Sequence, residues 1–210
     1  MARDERVVIL DGDADSSQIA DFERDRRELI RRGLALGGAV VAASSIPLLL
    51  SVRNAFAAGE GDKSILSEAI RLEQIAVLVY DKSIDGGLLS ADVVRVARLL
   101  RSHEREHAEA LTTALTDLLG QPAPQPTAKD IDSVVKGFGD VKSQKDILNF
   151  TIELETAGVA AYHDAQQKFY DAKLLQRGAS IMANEGQHLV VLRQALKKPP
   201  VPNAFETGSK

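Results

Sequence analysis

Apolar residues recur every three or four positions along four long stretches of the chain, which is the spacing of one buried helix face. The stretches predict four long helices, over about 64–85, 90–119, 143–169 and 171–196. A short helix is expected before the third, over about 131–138. No segment shows the convincing apolar–polar alternation of a strand. The pattern therefore predicts an all-α chain.

Turn and cap residues divide these helices into pairs. Gly86 and Gly87 end the first helix and Gly120 ends the second. Ser143 with Asp146 resembles a capping box at the start of the third helix, and Asp171 can cap the fourth. The segment "QPAPQPTAKDIDSVVKGFGDVKS" separates the pairs. The chain is thus expected to form two helical hairpins joined by a long crossover, in an antiparallel four-helix bundle.

The two hairpins repeat each other. "LEQIAVLVY" (72–80) matches "LETAGVAAY" (154–162), and "EREHAEALTTAL" (104–115) matches "EGQHLVVLRQAL" (185–196). The repeat pairs four polar residues: Glu73 with Glu155, Tyr80 with Tyr162, Glu104 with Glu185, and His107 with His188. Residues equidistant from a hairpin turn lie at one level. The midpoint between Glu73 and the Glu104/His107 pair falls near Leu89, in the predicted first turn. The midpoint between Glu155 and the Glu185/His188 pair falls near Asp171, in the predicted second turn. Four carboxylates and two imidazoles should therefore meet at one level of the bundle.

Each Glu-x-x-His pair lies on an otherwise apolar helix face, at positions where leucine would be expected. Four buried carboxylates would be very costly without compensating charge. Two divalent ions would cancel that charge. Carboxylate oxygen with imidazole suits iron or manganese, and zinc is also compatible.

The stretch "HEREH", His103 to His107, also fits the H-E-x-x-H motif of zinc proteases. In the repeat, however, His103 aligns with Asn184, so only the Glu-x-x-His half recurs. A place for His103 one turn from His107, beside the metal ligands, is the alternative.

One glutamate from each of two helices and Glu-x-x-His from each of the other two is the ligand pattern of di-iron carboxylate bundles. Over about residues 62–197 the chain resembles the ferritin-like superfamily, in particular its rubrerythrin-like and bacterioferritin-like members. The resemblance implies that Glu104 and Glu185 bridge two ions. It implies that Glu73 and Glu155 are the more terminal ligands, and that His107 and His188 each cap one ion.

Tyr80 and Tyr162 follow Glu73 and Glu155 by seven residues, about two turns along the same helix face. A buried hydroxyl needs a partner, and a carboxylate across the bundle would supply one. Tyrosines at this spacing also occur in the relatives named above. The alternative is that both are core aromatics whose hydroxyls reach solvent.

The N-terminal part resembles a twin-arginine export signal. Arg26-Arg27 precedes the apolar run 33–50, and Ala55-Phe56-Ala57 supplies an A-x-A cleavage site. The domains expected are a disordered leader with signal over 1–57, the bundle over 58–197 and a tail over 198–210. The protein would be exported to the periplasm or cell envelope, or stay anchored in the membrane if the signal is not cleaved.

Composition narrows the function. The 210 residues carry a net charge of −4, which argues against nucleic-acid binding, and contain no cysteine, so a thiolate metal site is impossible.

The first hypothesis is a di-iron or di-manganese oxidase, ferroxidase or peroxidase that uses O₂ or peroxide with Fe(II). A peroxidase would need an external electron donor. The alternatives are a non-catalytic metal-binding or desiccation- and stress-protective module, and a bundle with a purely structural site. A homodimer is compatible with either function.

Overall fold

Five α-helices make up the fold that the computed structural model describes, which covers residues 61–208. They are α1 (Gly61–Asp85), α2 (Ala91–Leu119), α3 (Ala128–Gly137), α4 (Gln144–Ala165) and α5 (Ala172–Ala195). No strand occurs within 61–208, and the predicted all-α class is confirmed. The predicted leader, signal and boundary at residue 57 lie outside the described residues.

The helices pack as two antiparallel hairpins. α1 packs along α2 and α4 along α5, while α1 with α4 and α2 with α5 form the contacts between hairpins. The first hairpin turn occupies residues 86–90 and the second 166–171. At the end of α2, Gly120 adopts a left-handed conformation with φ 60°, and its N–H donates to the carbonyl of Thr116 at 2.9 Å. The predicted hairpin order, with a long crossover between the pairs, is confirmed.

The crossover is tied to α1. Asp130 in α3 accepts a hydrogen bond from Arg71 Nε at 3.0 Å and forms an ion pair with the same guanidinium. Gln74 Nε2 donates to the carbonyl of Pro124 at 2.9 Å. Thr127 and Asp130 cap each other reciprocally, so α3 begins at Ala128 instead of near residue 131 as predicted.

The prediction that the third long helix reaches about residue 169 was wrong. α4 ends at Ala165, and residues 166–168 form a turn. Phe169 continues the apolar pattern, but it packs onto α5 from the turn. A Cβ on Gly178 would lie 3.2 Å from its ring, so the glycine makes room for this aromatic side chain.

Buried residues recur along α5 at the predicted spacing of three or four, and two of them are polar or charged. Its buried residues are Leu174, Gly178, Ile181, Glu185, His188, Leu189 and Leu192. After α5, the chain returns over the bundle: Arg193 pairs with Glu206 at 2.9 Å, and Gly208 is buried against the backbone of Thr156 and Ala160.

Within residues 61–208, no helix is long and apolar enough to cross a membrane.

Candidate metal centre

Six polar side chains, one or two from each long helix, meet inside the bundle. Five of them are almost completely buried, namely Glu73, Glu104, Glu155, Glu185 and His188. The sixth, His107, has a side chain that is 12% exposed. All six are residues that the repeat had placed at one level.

His107 lies among three carboxylates. Its Nδ1 is 3.4 Å from Glu73 Oε2, 3.1 Å from Glu185 Oε1 and 3.7 Å from Glu104 Oε2. Because Glu73 is on α1 and Glu185 on α5, this group joins the two hairpins.

His188 has the matching position in the second half. Its Nδ1 is 3.0 Å from Glu104 Oε1, 3.4 Å from Glu155 Oε2 and 3.3 Å from Glu185 Oε2. The second group thus takes Glu104 from the first hairpin and its other members from the second.

The two groups share their central carboxylates. Each group consists of four residues, and each residue offers one atom that could bind a metal. Within a group, these four atoms all lie within 4.8 Å of one another. Glu73, Glu104, His107 and Glu185 form one group, and Glu104, Glu155, Glu185 and His188 form the other. Glu104 and Glu185 therefore belong to both groups, while each remaining residue belongs to one.

Several atoms of the centre are close to one another without forming a hydrogen bond. Glu104 Oε1, Glu185 Oε1 and His107 Nδ1 are buried and have no hydrogen-bond partner. Glu104 Oε1 lies 3.0 Å from His188 Nδ1 and Glu185 Oε1 lies 3.1 Å from His107 Nδ1, but neither contact is a hydrogen bond. A metal ion between these buried atoms would satisfy several of them together.

Electrostatics point the same way. Burial raises the pKa of the Glu73 and Glu155 carboxyls to about 8. Burial lowers the pKa of His107, but the carboxylates of Glu104, Glu185 and Glu73 raise it more, to about 12. Burial also opposes the charged form of His188, yet its three carboxylate neighbours raise its pKa strongly. Without a metal, Glu73, Glu155 and the two histidines therefore favour their protonated forms at neutral pH.

Each tyrosine hydroxyl reaches the opposite hairpin. Tyr80 on α1 donates to Glu155 Oε1 on α4, and Tyr162 on α4 donates to Glu73 Oε1 on α1. Both rings are buried, so the alternative of hydroxyls that reach solvent is wrong. Burial, followed by the nearby carboxylates, raises the pKa of both phenols, which keeps them as hydrogen-bond donors.

His103 lies outside the carboxylate group and contacts it through His188. Its Nδ1 is 3.0 Å from His188 Nε2, and the ring planes differ by 15°. Burial, together with the neighbouring histidines, lowers the pKa of His103. Among the described residues, His103 belongs to neither metal-capable group, so His103 and His107 do not form the paired ligands of the zinc protease motif. Sequence spacing placed His103 near the site, but its partner on another helix had no signal in the sequence.

The neighbouring charged residues stay away from the centre. Glu106 and Glu109 are exposed on α2, and neither they nor the half-buried Glu153 is in the metal-capable groups of the described residues. His163 lies near Asp164 at the surface of α4. That the six converging residues bind metal stays a prediction, but the donor set fits two divalent ions.

Comparison with known proteins identifies a family for this chain. A family model described as a ferritin-like domain matches residues 61–198, which includes all five helices and all six converging residues. Searches of curated proteins and of solved structures gave no match. The chain belongs to the family of ferritin-like domains.

Proposed function

We propose that the protein binds two divalent ions through the six converging residues and, with iron bound, reacts with O₂ or peroxide. The observation that carries this proposal is the pair of overlapping groups that share Glu104 and Glu185. Each ion would have one histidine and one unshared glutamate of its own, Glu73 with His107 and Glu155 with His188. Four carboxylates balance the charge of two divalent ions.

Iron in such a site would supply the electrons that reduce the oxidant. The chain's own part is to position the ligands and to exclude water. Leu100 and Leu111 on α2 and Ile181 and Leu192 on α5 lie one turn before and after the Glu-x-x-His pairs, and all four are buried. Tyr80 and Tyr162 hold the two unshared carboxylates by donating a hydrogen bond to each.

The chain contains no cysteine, so it has no thiolate-bound electron-transfer centre of its own. A catalytic cycle that consumes peroxide would need an external electron donor. Oxidation of Fe(II) itself would need none. This difference favours a ferroxidase or oxidase over a peroxidase.

The test is to load the metal-free protein with Fe(II) without oxygen and then add O₂ or peroxide. The near-ultraviolet absorption of ferric iron should rise faster than for the same Fe(II) in buffer. Glu104→Gln and Glu185→Gln should abolish the acceleration. Glu106→Gln, which changes an exposed charge on the same helix as Glu104, should keep it.

Burial of the centre favours a second candidate, a module that holds metal and protects against stress without turnover. Five of the six converging residues are almost inaccessible to solvent. If the protein binds Fe(II) but oxidises it no faster than buffer does, this second function replaces the first.

We propose further that the protein is exported through its twin-arginine signal, and that a folded, metal-loaded chain is the form that is exported. The support is the sequence 26–57. Replacing Arg26 and Arg27 by lysine should retain the protein in the cytoplasm. Export that is unchanged in this variant would contradict the proposal.

A further inference from the structure

The two halves of the centre have different surroundings. The side chain of His188 is 1% exposed, whereas that of the matching His107 is 12% exposed. His103 precedes His107 by one turn of α2, and its counterpart on α5 is Asn184. The repeat that makes the ligands symmetrical therefore leaves the residues behind them different.

The difference extends to the hydrogen bonds of the two imidazoles. His188 uses both ring nitrogens: Nδ1 faces three carboxylates and Nε2 is bonded to His103 Nδ1 at 3.0 Å. Within the described part of the chain, all polar contacts of His107 involve Nδ1. Only one of the two imidazoles is thus fixed from behind by another side chain.

A neutral imidazole that binds a metal through Nδ1 carries its hydrogen on Nε2. That N–H orients the ring best when it donates to a fixed acceptor, which also raises the basicity of the ligand nitrogen. His103 Nδ1 is placed to be that acceptor for His188. The ring planes of the two histidines differ by only 15°, which suits a hydrogen bond in the plane of the rings.

We propose that His103 is a positioning residue that makes the two metal positions inequivalent. The position with His188 is the tighter one and exchanges slowly. The position with His107 is weaker and is the one nearer to solvent. The inference rests on the dinuclear site of the proposed function.

The first test is titration of the metal-free protein with Co(II) by calorimetry. Wild type should show two affinities. His103→Ala should weaken the tighter one by roughly 10- to 100-fold and leave the other unchanged. The matched control is Asn184→Ala, which alters the corresponding residue of the repeat and should change neither affinity.

A conservative variant separates positioning from packing. In His103→Asn, the side-chain oxygen can take the place of His103 Nδ1 as acceptor, while the rest of the ring is lost. This variant should recover most of the tighter affinity. If it is as weak as His103→Ala, with the helical content of both unchanged, the hydrogen bond is not what positions His188.

The second test compares the wild-type protein with His103→Ala. Proton NMR of the Co(II)-loaded form resolves the exchangeable imidazole N–H of metal-bound histidines, because the ion shifts them away from other signals. One such N–H should exchange slowly with D₂O and one rapidly, and the slow one should become rapid in His103→Ala.

Two equal Co(II) affinities, or two N–H signals that exchange at one rate, would overturn the inference and leave the dinuclear site intact. Fewer than two Co(II) ions per wild-type chain would overturn the proposed function as well. The two failures can therefore be told apart in the same titration.

Discussion

At the residue scale, the two tyrosines show how each hairpin positions a buried glutamate of the other. Each buried hydroxyl donates to a glutamate of the opposite hairpin. The sequence predicted this kind of partner, because the tyrosines and glutamates share a helix face at a fixed spacing. The sequence could not indicate the contact between His103 and His188. The two residues lie on different hairpins, and His103 aligns with Asn184 in the repeat, so no second histidine pair suggests the contact.

Tyr80→Phe should lower the free energy of unfolding of the metal-free protein by about 1–3 kcal/mol, because Glu155 loses a buried hydrogen bond. Two ions should still bind, but Fe(II) oxidation should slow. Tyr170→Phe is the control, since Tyr170 is 88% exposed. Chemical denaturation and stopped-flow absorption measure the two effects. Loss of the metal in Tyr80→Phe would make Tyr80 essential for binding, contrary to this account.

Metal binding should release protons. At pH 7 the carboxyls of Glu73 and Glu155, with pKa values of about 8, and the two imidazoles are largely protonated. Metal requires the deprotonated forms, so the apparent affinity should rise as the pH increases from 6 to 8. Calorimetry in buffers of different ionisation enthalpy counts the released protons. An affinity that is independent of pH over this range would show that the ions bind elsewhere.

At the element scale, the crossover depends on the pair of Arg71 with Asp130. Burial opposes the charge of Asp130, but the hydrogen bonds from Arg71 and Thr127 outweigh it and lower its pKa to about 2, from 3.8. Because the pKa of Asp130 is lower in the folded protein, its charge stabilises the fold at pH values above 3.8, the pKa of the unfolded chain. That contribution is lost as the pH falls through about 2.

Asp130→Asn should therefore destabilise the protein at pH 7 by about 1–2 kcal/mol, allowing for solvent around Arg71, whose side chain is 26% exposed. The difference from wild type should shrink between pH 4 and pH 2, where wild-type Asp130 becomes protonated. Asp132→Asn, which changes an exposed carboxylate on the same helix, should have little effect at any pH. Urea denaturation at several pH values checks this. A difference that persists at pH 2 would assign the effect to helix capping instead of charge.

The ends of the elements show which sequence signals can mislead. Caps that act within one turn, such as Asp171 at the start of α5, were predictable from the sequence because their bonds are local. The end of α4 was not, because Phe169 keeps the helical spacing although it packs from a turn into the space beside Gly178. That contact is with another helix, so no pattern within α4 indicates it.

At the scale of the whole molecule, metal and fold should be coupled. Four buried carboxylates from two hairpins oppose association of the hairpins unless they hold protons or cations. The pKa values of Glu73 and Glu155 are higher in the folded protein than in the unfolded chain, where they are 4.5. Their contribution to the stability of the metal-free protein is therefore most favourable below about pH 4.5. It becomes less favourable as the pH rises through 8.

Divalent metal should consequently raise the melting temperature, and more so at pH 8 than at pH 6. One ion at 100 times its dissociation constant adds about 2.7 kcal/mol. Thermal unfolding with Mn(II) or Zn(II) measures the gain. Glu185→Gln should lose most of it and Glu106→Gln should keep it. An equal gain in both variants would point to binding at the surface.

The most direct measurement is a count of tightly bound ions per chain after anaerobic loading with Fe(II) and removal of free metal. We expect two ions for wild type and for the controls Glu106→Ala and Glu153→Ala. Glu104→Ala and Glu155→Ala should hold fewer. A single ion per wild-type chain that is still retained in His188→Ala would contradict the dinuclear centre and favour a site around His103 and His107.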